Sequence, residues 1–128
     1  MATIKVVCGI IFNEDKVFLC RRSPHKSLAG YWEFPGGKIE SGEKEEDSLS
    51  RELFEELGMS VEIKEHFKTV VHNYDLFTIE LIAYICQFQK ASYKLTDHDQ
   101  YEWVSKNNLN QWNLAPADIP IAEALSKC

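Results

Sequence analysis

The sequence predicts an α/β (α+β) fold, an α/β/α sandwich with a mixed β-sheet, and three observations predict it. Two apolar, β-branched runs, 3 to 12 and 16 to 22, are separated only by Asn13-Glu14-Asp15, the pattern of a hairpin with a short polar turn. Residues 43 to 57 carry Leu49, Leu53 and Leu57 at i, i+4 and i+8, which is one face of a helix. Residues 76 to 88 (LFTIELIAYICQF) are so continuously apolar that both faces of a strand there should be covered. Early hairpins exclude strict βαβ alternation, so a mixed sheet of about five strands between helices is expected rather than a doubly wound one.

The remaining elements follow in order. Residues 23 to 42 carry Pro24, Gly30, Pro35, Gly36, Gly37 and Gly42 and cannot form a regular helix. Tyr31, Trp32 and Phe34 mark this long loop as ordered, because disordered segments are poor in aromatics. The helix that follows begins near Ser41 or Gly42, and Gly58 is placed to cap its C-terminus. Strands are expected at 60 to 72 and 76 to 88, joined by Asn73-Tyr74-Asp75, with a shorter one around Tyr101 to Val104. Pro116 and Asp118 open a C-terminal helix over 119 to 127.

With 128 residues, 45% of them hydrophobic, the chain has material for one core, and a single domain over 1–128 is expected. The formal charge of −6 argues against a partner that is a nucleic-acid polymer, since such binders need cations to displace counterions. The excess is local: Glu40, Glu43, Glu45, Glu46, Asp47, Glu52, Glu55 and Glu56 face only Lys44 and Arg51 within one segment. No apolar run is long enough to span a membrane, and the N-terminal run lacks the basic start of a signal peptide. Cys8, Cys20, Cys86 and Cys128 form no Cys-x-x-Cys pair, and three of them sit in strand-like runs. A reduced, cytoplasmic protein is the expectation.

At about 100° per residue, Glu52, Glu55 and Glu56 share one face of the helix. Like charges at i, i+3 and i+4, close to the negative end of the helix dipole, are unfavourable unless something compensates. A solvated acidic face with Arg51 as counterion is one account. The other is a hard-cation site, since carboxylate oxygens completed by water and phosphate suit Mg²⁺ or Mn²⁺. Leu49, Leu53 and Leu57 bury the opposite face and turn these acids toward the glycine loop.

From Gly37 to Met59 the chain reads G-x5-E-x7-R-E-U-x-E-E-x-G-U, U being bulky and apolar, a match whose chance probability per start is on the order of 10⁻⁹ to 10⁻⁸. This resembles the signature of the Nudix family, and the run Trp32-Glu33-Phe34-Pro35-Gly36-Gly37-Lys38 resembles its MutT-like branch. The resemblance implies a metal-dependent hydrolase of diphosphate bridges. Glu52 and Glu56, joined by Glu55, would bind Mg²⁺, with the Gly36 carbonyl as a further ligand and Glu52 orienting or deprotonating water. Gly37 belongs to the loop beneath these acids, and Arg51 and Glu43 would tie the helix to that loop. Asp97, six residues before Trp103, matches a later acid that completes such sites; His98 and Asp99 are weaker candidates.

For the substrate, Arg22 matches an arginine that touches phosphates in MutT-like members, and Trp32, Glu33 and Phe34 match a segment lining the base pocket. Leu114-Ala115-Pro116-Ala117-Asp118-Ile119-Pro120 resembles a stretch of the bacterial CTP pyrophosphohydrolases. An ionised Asp118 would accept a hydrogen bond from an amino group such as cytosine N4; it also stands where a helix N-cap would. The resemblance thus implies a nucleoside triphosphate pyrophosphohydrolase releasing NMP and pyrophosphate, acting on CTP, dCTP or modified cytosine nucleotides. An 8-oxo-dGTP diphosphatase and a nucleotide-binding module without catalysis are the alternatives.

Overall fold

The computed structural model describes residues 3–93, 95 and 98–128. β1 (Thr3–Asn13) and β2 (Lys16–Arg22) form the expected hairpin, with Glu14 at φ 60° in its turn. β3 (Trp32–Glu33) and β4 (Gly36–Lys38) lie within the glycine loop. They are followed by α1 (Glu45–Leu57), β5 (Met59–Asn73), β6 (Thr78–Ala91) and β7 (His98–Ser105). Two 3₁₀ turns, Lys106–Gln111 and Pro116–Asp118, lead into α2 (Ile119–Ser126). The described sheet has seven strands, more than the sequence suggested, because β3 and β4 are too short to show a periodicity.

β1 organises the sheet. Along one edge it pairs in parallel with β6 from Thr3 to Phe12, and β5 then covers the far side of β6, so the apolar run lies inside the sheet as expected. Along its other edge the hairpin holds only at Phe12–Val17 and Asn13–Lys16 before β2 leaves to pair with β7. That divergence frees Val6, Val7 and Cys8 to pair with β4. A side chain on Gly36 would bring its Cβ to 1.9 Å from the Val7 carbonyl oxygen, so only glycine permits this pairing.

Alternation along the strands feeds two cores. Val7, Ile11, Phe18 and Cys20 face α1 through Leu49, Leu53 and Leu57. Cys8, Ile10, Val17 and Leu19 face the opposite way, toward Ile121, Ala122 and Leu125 of α2. The result is the α/β/α sandwich, with each fully buried leucine contributing about 1.5–3 kcal/mol. Cys8, Cys20 and Cys86 are buried and unbridged, and burial pushes their thiols up, that of Cys86 to about 12. Among the described residues no helix is long and apolar enough to cross a membrane.

Two junctions position the site. α1 begins at Glu45, later than expected, and ends where Gly58, at φ 59°, donates to the carbonyls of Leu53 and Phe54. The C-terminal segment is hooked onto β3: Trp32 N donates to Asn113 O at 2.9 Å and Ala115 N to Trp32 O at 2.9 Å. The edge of the Trp32 ring lies against Trp112, 4.6 Å between centroids, which carries Pro116–Asp118 up to the glycine loop.

Candidate active site

α1 holds its acids against β4. Ser48 Oγ and Arg51 Nη2 both donate to the Lys38 carbonyl, at 3.4 and 3.3 Å. The Glu52 carboxyl then lies on the Cα of Gly37, where an added Cβ would fall 2.3 Å from Glu52 Cδ. Arg51 neutralises the crowded face. Its Nε and Nη2 donate to the two oxygens of Glu43, at 2.7 and 3.0 Å, and Nη1 donates to Glu52 at 3.0 Å and Glu55 at 2.9 Å. The paired guanidinium bond, with the Glu40 amide also donating to Glu43, holds that carboxyl down at about 2 and raises Arg51 further. Arg51 thereby offsets the repulsion at this helix end.

A cavity of about 520 Å³ opens beside these acids. Its lining brings together Glu52 and Glu56 beside Gly36 and Gly37, the cations Arg22 and Lys26, and Phe34, Tyr74, Phe77 and Asp118. Such a pocket is apolar with a few polar groups converging on it, as small-molecule sites are.

A network that no single motif contains joins Arg22, Glu33 and His98. Arg22 Nη1 donates to both oxygens of Glu33, each at 3.2 Å, while its Nε donates to Ser27 O at 2.6 Å. His98 Nε2 lies 2.8 Å from Glu33 Oε2, with the histidine side chain only 1% exposed. Across the cavity the Phe34 amide donates to Asp118 Oδ2 at 2.9 Å. Burial and the charge of Glu33 raise the Asp118 carboxyl well above the usual range, outweighing the Phe34 bond and Arg22, which pull it down.

The Nudix domain family matches residues 6–124 of the chain. The chain belongs to that family. This Nudix hydrolase is 36% identical to the CTP pyrophosphohydrolase of Escherichia coli K12 over 97% of its own length and 92% of that protein. It is 30% identical to the 8-oxo-dGTP diphosphatase of the same organism, over 99% of each chain. Among solved structures, the MutT-named Nudix hydrolase of Staphylococcus aureus is similar, with TM-score 0.79 at 40% identity over 99% of this chain and 98% of that one. The α/β/α sandwich and the pyrophosphohydrolase chemistry of the hydrolase are thus those of its relatives.

The structure gathers Glu52, Glu56, Gly36, Gly37, Arg22, Glu33, Phe34 and Asp118 around one cavity and sets Glu43 and Arg51 behind it. Three of the expected site residues are placed differently. Glu55 is outside the cavity lining: its side chain is 57% exposed and is taken up by Arg51. Trp32 also lies outside the lining, because successive residues of β3 alternate and its ring goes to Trp112 while Glu33 turns inward. Asp118 makes no side-chain cap for α2; its buried carboxyl accepts from the Phe34 amide instead. Asp97 lies outside the described residues.

Sequence reasoning gave His98 only as a weaker candidate and missed its bond to Glu33; it also missed Tyr74 and Phe77. Aromatics so close to the junction of two strands were the available signal for the last two. Nudix hydrolases act with divalent cations, and the donor set fits one: the carboxylates of Glu52 and Glu56 beside a glycine turn stripped of side chains are hard-oxygen chemistry. Cys20, Glu33 and His98 also gather their ligand atoms within 4.8 Å. That group is a hydrogen-bond network instead, because burial holds Cys20 as a thiol and Arg22 and His98 occupy Glu33.

Proposed function

We propose that this Nudix hydrolase converts nucleoside triphosphates, with CTP, dCTP or modified cytosine nucleotides preferred, to the monophosphate and pyrophosphate in the presence of Mg²⁺ or Mn²⁺. The observation that carries the reading is one cavity whose lining brings together Glu52 and Glu56, Arg22, Glu33 and Asp118. Carboxylates, cations and aromatic rings in one lining suit cation, polyphosphate and base.

Glu52, Glu56 and the Gly36 carbonyl would hold the cation, with Asp97 as a further candidate from outside the described residues. When bound, the cation neutralises the polyphosphate and eases deprotonation of water. Glu52, fixed by Gly37 and Arg51, orients water and takes its proton. The water oxygen bonds to the β-phosphorus, the bridge between that phosphorus and the α-oxygen breaks, and the nucleoside monophosphate leaves with the bridging oxygen. Arg22 and Lys26 face the anionic chain of the substrate.

For the base, the Glu33 carboxyl accepts, and cytosine presents a donor to it, the N4 amino group, where uracil has a carbonyl oxygen. The relative named for CTP is consistent with this. The relatives named as 8-oxo-dGTP diphosphatases favour a second reading, in which Asp118 and Glu33 meet an oxidised purine. Comparison of kcat/KM for CTP, dCTP, 5-methyl-dCTP, UTP, dGTP and 8-oxo-dGTP decides between them, because selectivity is that ratio. Cytosine nucleotides leading UTP supports the proposal; 8-oxo-dGTP leading all others selects the second reading, and flat selectivity removes both.

A further inference from the structure

The register of β7 against β2 contains an irregularity with a purpose. Arg21 pairs with Gln100, but Arg22 pairs with His98, so Asp99 is an extra residue on β7. Because side chains alternate, this bulge puts Asp99 on the Arg21 side, where it accepts from Nε and Nη2 at 2.9 and 2.8 Å. It puts His98 on the side of Arg22, against the cavity wall. In regular register Asp99 would stand opposite Arg22 and compete with Glu33 for the guanidinium.

His98 is buried, Nε2 meets Glu33 Oε2 at 2.8 Å, and Nδ1 is buried without a hydrogen-bond partner among the described residues. Since a carboxylate accepts, this contact places a hydrogen on Nε2. An apolar ring would fill the same space without an orphaned nitrogen. The contribution of histidine here lies in the bond to Glu33.

We propose that His98 is a positioning residue for base recognition: its Nε2–H fixes Glu33 Oε2, together with Arg22, so that the carboxylate is presented to an exocyclic amino group of the nucleobase. The proposal rests on the base assignment above. His98 does not touch the substrate; it removes the rotational freedom of the group that does. Two donors from different strands hold one carboxylate, which selects among bases without a rearrangement on binding.

The test compares wild type, His98→Asn and His98→Gln with Mg²⁺ on CTP and UTP. Glutamine extends its amide nitrogen to about where imidazole Nε2 lies, whereas the asparagine amide stops at the position of Nδ1. His98→Asn is expected to raise KM for CTP roughly tenfold, the loss of one hydrogen bond to a charged group, with a smaller change in kcat and a lower CTP-to-UTP ratio. His98→Gln is expected to recover most of both. Unchanged KM and ratio in His98→Asn, or equal losses in the two variants, would overturn the proposal. A wild-type enzyme that does not discriminate CTP from UTP overturns the base assignment and this inference together; discrimination that survives His98→Asn overturns this inference alone. Long-range ¹H–¹⁵N correlation on unaltered protein gives a check that needs no His98 variant: the Nε2–H tautomer, shifted by Glu33→Gln, is expected, and the Nδ1–H tautomer contradicts it.

Discussion

Arg51 and Glu43 meet through two near-parallel hydrogen bonds, Nε to Oε2 at 2.7 Å and Nη2 to Oε1 at 3.0 Å, across the start of α1. Glu43 is held at about 2, below its ordinary 4.5. A depressed carboxyl contributes stability present above its unfolded value and lost as pH falls toward the folded one. Wild type should therefore lose stability between pH 4.5 and about 2 through this group. Glu43→Gln should lack that component, which acid titration followed by far-UV circular dichroism measures; identical acid profiles would deny the linkage.

Asp118 carries the opposite sign. Its folded pKa is raised, so its contribution is intact below the unfolded value of about 3.9 and is lost as pH rises through the folded one. Asp118→Asn keeps an acceptor for the Phe34 amide and cannot ionise. Its melting temperature relative to wild type should climb as pH rises above about 3.9, and activity on CTP should survive, because the amide oxygen still accepts from Phe34. A melting difference independent of pH would show that the Asp118 pKa is not raised.

Gly37→Ala would put a methyl 2.3 Å from Glu52 Cδ, and the far end of that side chain must move. A shift of about 1 Å in a catalytic group costs on the order of 10²-fold in rate. Steady-state kinetics should show a fall in kcat of that size with the melting temperature little altered. Gly36→Ala differs, since its methyl meets the Val7 backbone 1.9 Å away, and it should lower the melting temperature itself.

A divalent ion should be localised by its effect on nearby amides. Mn²⁺ titrated into ¹⁵N-labelled protein should broaden Gly36, Gly37, Glu52 and Glu56 before the Trp32–Trp112 junction, and chelation should abolish turnover and restore the signals. Broadening led by Cys20 and His98 would move the ion to the other cluster.

What was legible in the sequence was local or periodic. The leucine repeat placed α1 and its buried face, and Arg51–Glu43 spans one helix start, so the signature alone implied their pairing. Glu33 and His98 are 65 residues apart, and their meeting depends on an extra residue in β7 that no periodicity announces. The raised pKa of Asp118 arises from burial and a neighbouring charge, neither of which exists before the C-terminal segment docks on β3. Trp32 and Glu33, adjacent in one motif, part because a strand sends them to opposite faces.

The central claim is that Glu52, fixed between Gly37 and Arg51, activates water for attack on a diphosphate bridge. Glu52→Gln preserves shape and removes the charge. With CTP and Mg²⁺, and products resolved by anion exchange, wild type should yield CMP and pyrophosphate, and the variant should lose at least about 10²-fold in kcat at an unchanged circular dichroism spectrum. Undiminished turnover in Glu52→Gln, or release of CDP and phosphate by wild type, would contradict the account.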